Sequence, residues 1–153
     1  MRTLMLTLAL FSTSAFAVNC PNLTGKYLKC TSTTGTTEGS TNFEVSQKLV
    51  NGYNHYTLTY TDDGTQERKT DLYKADGKTY VESQTDPENG ITLKVEMRTT
   101  CGNGQVVSRS NIWMQNESLG SLTVTVTKSG KVLSQNVEGT VMGEEVNDTV
   151  LCE

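Results

Sequence analysis

Apolar and polar residues alternate along most of the chain, which is the pattern of β-strands with one buried face. Residues 43–60 show it most clearly, because Asn51-Gly52 at their centre favours a two-residue type I′ turn. Such a turn sets Val50 opposite Tyr53. Counting outward then places one mainly apolar set on a single face: Phe43, Val45, Gln47, Leu49, Asn54, Tyr56, Leu58 and Tyr60. A one-residue shift would mix the two faces, so the turn and the alternation together predict this register.

Two further hairpins follow from the same alternation. An even-length turn near Asn103 brings together two mainly apolar rows, which are Ile91, Leu93, Val95 and Met97 on one side and Val106, Ser108, Ser110, Ile112 and Met114 on the other. A two-residue turn at Ser129-Gly130 sets Val126 opposite Leu133, Val124 opposite Gln135 and Leu122 opposite Val137. The segment 71–84 does not settle its register in this way.

The succession of hairpins predicts an all-β fold, because helical periodicity is nearly absent and turn residues recur regularly. The predicted strands are Lys26–Thr33, Asn42–Val50, Tyr53–Thr61, Gln66–Lys74, Lys78–Thr85, Ile91–Thr99, Gln105–Gln115, Ser121–Lys128, Lys131–Val141 and Val146–Cys152. About eight to ten antiparallel strands in this order favour an up-and-down β-barrel, which removes exposed edges. A β-sandwich is the alternative.

The face predicted to point inward also carries polar side chains. They are Gln47, Asn54, Tyr56, Tyr60, Ser108, Ser110 and Gln135. Because burying polar groups costs free energy unless they are hydrogen-bonded, a tightly filled core would rarely hold so many. Either the barrel encloses a cavity for ligand or water, or some of these residues lie near its ends or in a locally different register.

Residues 1–17 have the layout of a secretory signal peptide. Arg2 precedes an apolar run over 4–11, and Ala15-Phe16-Ala17 forms an A-x-A cleavage site. The run is too short to span a bilayer. Cleavage after Ala17 predicts a secreted or periplasmic chain, residues 18–153, folded as one domain. Its 12 basic and 17 acidic residues give a net charge of −5, which argues against nucleic-acid partners and anionic lipid.

Four cysteines lie in the predicted mature chain, and an even number in an exported protein indicates disulfides. A closed barrel brings its first and last strands together, which favours Cys30–Cys152 and leaves Cys20–Cys101. A small Cys20–Cys30 loop is also compatible with the spacing. The chain has no C-x-x-C motif and only one histidine, so no metal site is predicted.

The start of the first predicted strand resembles a known family. Leu23-Thr24-Gly25-Lys26-Tyr27 is similar to the G-x-W that opens the first strand of lipocalins and avidins, with Tyr27 in place of the tryptophan. The resemblance to this calycin group implies a small up-and-down barrel that holds a small molecule in its mouth. The biotin contacts of avidin and the later lipocalin motifs have no match here, so no ligand identity is carried over.

No catalytic arrangement emerges from the sequence. His55 is the sole histidine, and the hairpin pairing puts it opposite Lys48 on the polar face, away from the partners that a hydrolase triad needs. The G-x-S-x-G, phosphate-loop and dinucleotide-binding motifs are missing. Paired carboxylates at Asp62-Asp63 and Glu144-Glu145 are interpreted as solvated charge. We therefore expect neither an enzyme nor a cofactor.

These observations favour a non-enzymatic protein that binds a small apolar or amphipathic molecule. The residues expected to line the pocket are Tyr56, Tyr60, Met97 and Met114, with Gln47, Ser110 and Gln135 orienting the ligand. The alternative is a protein–protein interaction module, such as a secreted inhibitor or an envelope-associated factor. Its working surface would be the loops or the arm Val18–Thr24.

Overall fold

The computed structural model describes residues 19–34, 43–61 and 66–153, and these form strands and turns. The predicted signal peptide, residues 35–42 and the Asp62-Asp63 pair lie outside the described residues. In chain order the strands are β1 (Gly25–Tyr27), β2 (Cys30–Ser32), β3 (Phe43–Val50), β4 (Tyr53–Thr61), β5 (Arg68–Lys74), β6 (Thr79–Thr85), β7 (Thr92–Gly102), β8 (Gln105–Met114), β9 (Glu117–Ser129), β10 (Val132–Val141) and β11 (Glu144–Cys152).

The strands form two antiparallel sheets. The four-stranded sheet has the order β1-β3-β4-β5, and the seven-stranded sheet has the order β2-β11-β10-β9-β8-β7-β6. The all-β antiparallel prediction is therefore confirmed. Neither sheet closes on itself into a barrel. Among the described residues, β1 and β5 are the two edges of the four-stranded sheet, and β2 and β6 are the two edges of the seven-stranded sheet.

The predicted first strand, Lys26–Thr33, is broken at Leu28 and Lys29. The backbone N–H groups of Leu28 and Lys29 donate to the Glu153 carbonyl oxygen, at 2.7 and 3.3 Å. The Glu153 N–H in turn donates to the Lys29 carbonyl oxygen at 2.9 Å. This interruption sends β1 to pair with β3 and β2 to pair with β11. The first strand region consequently contributes to both sheets.

Two predicted hairpin registers are confirmed. Asn51 and Gly52 have φ values of 50° and 83°, as a type I′ turn requires, and Val50 pairs with Tyr53. The predicted rows of β7 and β8 also meet, from Leu93 opposite Met114 to Met97 opposite Ser110.

The register predicted for β9 and β10 is wrong by two residues. The turn is Gly130-Lys131, so Val126 pairs with Gln135 and Val124 with Val137. Gly130 takes φ 60° at the first turn position, a backbone conformation that suits glycine. Because side chains alternate with a period of two, the shift leaves the same residues on the inner face.

Two tight turns were not predicted from the sequence. Gln115-Asn116 and Met142-Gly143 adopt positive φ at both positions, which is the geometry of a two-residue hairpin. They let β9 begin at Glu117 and β11 at Glu144, earlier than the alternation indicated. Neither turn is the Asn-Gly or Asp-Gly pair that marks this geometry most clearly.

Two disulfides fasten the chain ends to the sheets. Cys30 bonds to Cys152, its cross-strand partner, and so joins β2 to β11. Cys20 bonds to Cys101 at the end of β7. This is the pairing that the sequence favoured. The buried core lies between the sheets and contains residues from both, among them Tyr27, Val45, Val106 and Leu133.

Candidate functional site

An apolar cavity of about 340 Å³ lies between the two sheets. The four-stranded sheet gives it an aromatic wall, formed by Phe43, Tyr56, Tyr60 and Tyr73. The seven-stranded sheet gives it an aliphatic wall, formed by Val106, Val124, Val126, Leu133 and Val150. We call this space the main cavity.

The N-terminal segment, residues 19–24, lies against the main cavity. Leu23 is 4% exposed and forms part of the lining. The Tyr56 hydroxyl donates to the Pro21 carbonyl at 3.0 Å, and the Tyr27 hydroxyl donates to the Leu23 carbonyl at 2.8 Å. The Gly104 N–H donates to the Asn19 carbonyl at 3.0 Å, close to the Cys20–Cys101 bond. The described part of the arm proposed as an interaction surface is thus docked against its own domain.

A second space, of about 480 Å³, lies where the edge strands β5 and β6 approach each other. We call it the lateral cavity. Its lining includes residues 70–74 of β5, Tyr80 and Glu82 of β6, and Met97 of β7. Asp71 and Tyr73 line both cavities, so the aromatic wall continues from one into the other.

Some of the polar groups on the inner face are hydrogen-bonded to one another. Thr99 and Ser108 are buried and share a hydrogen bond of 3.0 Å between their hydroxyls. Burial raises the pKa of Tyr56 to about 12. Burial also raises the pKa of Tyr73 to about 12, with further contributions from the charge of Asp71, from Tyr60 and from the charge of Glu82. Both phenols are therefore neutral near pH 7 and can donate a hydrogen bond.

Three of the seven predicted ligand-binding residues line the main cavity: Tyr56, Tyr60 and Gln135. Met97 lines the lateral cavity instead. Ser110 pairs with Met97 across β7 and β8 but lines neither space.

Gln47 and Met114 also line neither cavity. The Gln47 side-chain amide donates to the Asn54 side-chain oxygen at 2.7 Å, and its own oxygen is buried without a partner among the described residues. Met114 is 37% exposed at the end of β8, beside the Gln115-Asn116 turn. Alternation along a strand gives the face of a residue but not its distance from the strand end, which accounts for Met114. Gln47 lies opposite Tyr56 and its amide is instead bonded to Asn54.

Sequence reasoning missed Leu23, Asp71 and Tyr73. Asp71 and Tyr73 lie two apart on β5, opposite Leu58 and Tyr56, and therefore share the inner face of β4. The sequence between β4 and β5 does contain a turn signal, Asp63-Gly64, and a two-residue turn there would place Asp71 and Tyr73 on this face, but the segment 71–84 lacks the apolar alternation that would have supported it. His55, by contrast, is placed as predicted, opposite Lys48 on the polar face.

Within residues 19–34, 43–61 and 66–153, no three His, Cys, Asp or Glu side chains gather closely enough to hold a metal ion. This part of the chain also contains no helix that is long and apolar enough to cross a membrane.

No protein-family model matches the chain, and neither a curated protein nor a solved structure shows significant similarity to it.

Proposed function

We propose that this protein is exported and binds one small apolar or amphipathic molecule in the main cavity, without catalysing a reaction on it. The observation that carries the proposal is an apolar space of about 340 Å³ between the two sheets. Protein interiors are close-packed, and voids much larger than a water molecule are few. Ligand pockets, in contrast, start at about 300 Å³ and are lined mainly by apolar and aromatic side chains.

The arrangement of the sheets supports the same proposal. The first strand region contributes to both sheets, and β5 and β6 approach each other at the opposite side through the lateral cavity. We infer that the sheets act as the walls of an incompletely closed barrel around the ligand. The lipocalin and avidin resemblance likewise implies strands that surround a small molecule, although in a closed up-and-down barrel. Two disulfides are typical of proteins from oxidising compartments and support export to the periplasm or cell exterior.

The polar groups of the main cavity would orient the bound molecule. Gln135 lies on the seven-stranded wall and Tyr60 on the four-stranded wall, so a ligand between them can be contacted by polar groups from two sides. The remaining lining is apolar, and burial of apolar ligand surface would supply most of the affinity.

The test starts with native mass spectrometry of the protein exported from its own host, compared with its denatured mass. We expect an excess mass that is released on denaturation. The second measurement is the fluorescence of N-phenyl-1-naphthylamine, an uncharged apolar probe. The wild type should bind it, and Val126→Trp, which fills the main cavity, should lose binding at least tenfold.

Thr127→Trp is the matched control, because Thr127 follows Val126 on β9 but is exposed on the opposite face. Thermal unfolding of both variants checks that each is folded. If the wild type carries no excess mass and Val126→Trp binds the probe as well as Thr127→Trp does, the proposed function is wrong.

A further inference from the structure

We propose that the ligand carries an ammonium group, which the Asp71 carboxylate holds against the tyrosine rings where the two cavities meet. This inference rests on the proposed function and names the ligand class for the same site. The remainder of the ligand would be apolar and would lie in the main cavity, towards Leu23 and Leu133.

The position of Asp71 is the first step of the argument. It lies on the inner face of β5, opposite Leu58, and lines both cavities. Its side chain is half-buried and makes no hydrogen bond or ion pair with another described residue. A carboxylate that is partly removed from water and lacks a charged partner gains from a cation in the cavity beside it.

The aromatic wall beside Asp71 is the second step. Tyr73 and Tyr60 line the main cavity together with Phe43 and Tyr56, so four aromatic rings lie on the same side as the carboxylate. Aromatic faces attract alkylammonium groups through the ring quadrupole, and cages of several rings are the common way in which proteins recognise quaternary ammonium ligands. An apolar wall without rings would offer an ammonium group no such contact.

The acidic groups near Tyr73 also favour a cationic ligand over an anionic one. Beyond burial, the charges of Asp71 and Glu82 both raise the pKa of Tyr73, as negative charges near a phenol do. Lys74 also lines the lateral cavity, where its ammonium group contacts the Tyr80 ring at 4.3 Å from the ring centre. Lys69 is exposed and makes an interaction of its own. A carboxylate or phosphate ligand would be repelled from this position, whereas an ammonium group would be attracted.

The experiment compares three amphiphiles with the same chain length but different head groups: octyltrimethylammonium, 1-octanol and octanoate. Binding to the full mature chain is measured by displacement of N-phenyl-1-naphthylamine. We expect the ammonium compound to bind about tenfold more tightly than the alcohol, which corresponds to about 1.4 kcal/mol, and octanoate to bind most weakly.

Asp71→Asn should remove the preference, so that the ammonium compound binds about tenfold more weakly while 1-octanol binds as before. Glu145→Gln is the matched control, because it removes the same charge from an exposed position on β11, away from both cavities. Its profile should equal that of the wild type.

The outcomes separate the two proposals. If 1-octanol and octyltrimethylammonium bind equally, or if Asp71→Asn keeps the preference, the ammonium inference is wrong and the proposed function stands. If the wild type binds neither the uncharged probe nor any of the three amphiphiles, both the proposed function and the ammonium inference are wrong.

Discussion

The Tyr56 hydroxyl donates a hydrogen bond of 3.0 Å to the carbonyl oxygen of Pro21, and so ties the N-terminal segment to β4 beside the main cavity. The tyrosine ring is 3% exposed and also forms part of the cavity wall. Tyr56 therefore lines the main cavity and also attaches the N-terminal segment to β4.

We expect Tyr56→Phe to lower the free energy of unfolding by about 1 kcal/mol, because the Pro21 carbonyl loses its donor while the ring packing is kept. Urea denaturation followed by intrinsic fluorescence measures this change. Tyr53→Phe is the control, since Tyr53 is 49% exposed at the hairpin end and its hydroxyl donates to no described residue. Equal stability of the two variants would contradict a role for the Tyr56–Pro21 bond.

The Cys20–Cys101 disulfide should hold the same segment from the other side. It joins positions 81 residues apart in the sequence. Replacing both cysteines with alanine is expected to lower the free energy of unfolding by about 2–4 kcal/mol, because the unfolded chain regains the freedom that the cross-link removed.

The same double variant should lose the bound probe faster than the wild type, since Leu23 is then held by hydrogen bonds and packing alone. Stopped-flow dilution of the N-phenyl-1-naphthylamine complex measures the release rate. A release rate equal to that of the wild type would show that the N-terminal segment does not limit ligand exit.

The hairpin of β3 and β4 was predictable from the sequence in full, because its register follows from two local facts. Asn51-Gly52 accepts positive φ at both positions, and the alternation over 43–60 admits a single pairing. The break between β1 and β2 was not predictable in this way. Its cause is the backbone of Glu153, which is distant in sequence from Leu28 and Lys29.

The candidate site was predictable only where a strand had a firm register. Tyr56 and Tyr60 were identified because the turn at Asn51-Gly52 fixes the face of β4. Asp71 and Tyr73 were missed, because the segment 71–84 shows no apolar alternation that fixes its register, although Asp63-Gly64 and Asp76-Gly77 flank β5 in the sequence. Met114 was placed in the pocket on its face alone, although it lies at a strand end.

Gly120 of β9 and Gly139 of β10 lie where the backbone of the partner strand leaves no room for a Cβ atom. Gly139 has φ 156°, and a Cβ atom added there would collide with the Ser121 carbonyl oxygen. We expect Gly139→Ala to destabilise the protein by more than about 3 kcal/mol, because the obstructing atom is backbone and the strands must separate to accept a side chain. Thermal unfolding monitored by circular dichroism measures the effect.

Gly52→Ala is the control for that substitution. Gly52 has φ 83° and open space around it, so alanine costs only the backbone strain of about 1–2 kcal/mol. If Gly139→Ala is no more destabilising than Gly52→Ala, the steric conflict inferred between a Cβ atom at Gly139 and the Ser121 carbonyl is wrong.

The raised pKa of Tyr73 should make stability fall at high pH. In the unfolded chain this tyrosine loses its proton near its ordinary pKa of 10.0, whereas in the folded protein its pKa is about 12. The unfolded state is therefore favoured increasingly as pH rises from about 10 to about 12, and the stabilisation by the buried neutral phenol is complete only below this range. Tyr73→Phe has no proton to lose, so its free energy of unfolding should fall less steeply across this range than that of the wild type. Urea denaturation at pH 9, 10 and 11 measures the two slopes, and parallel slopes would contradict the burial of Tyr73 beside Asp71 and Glu82.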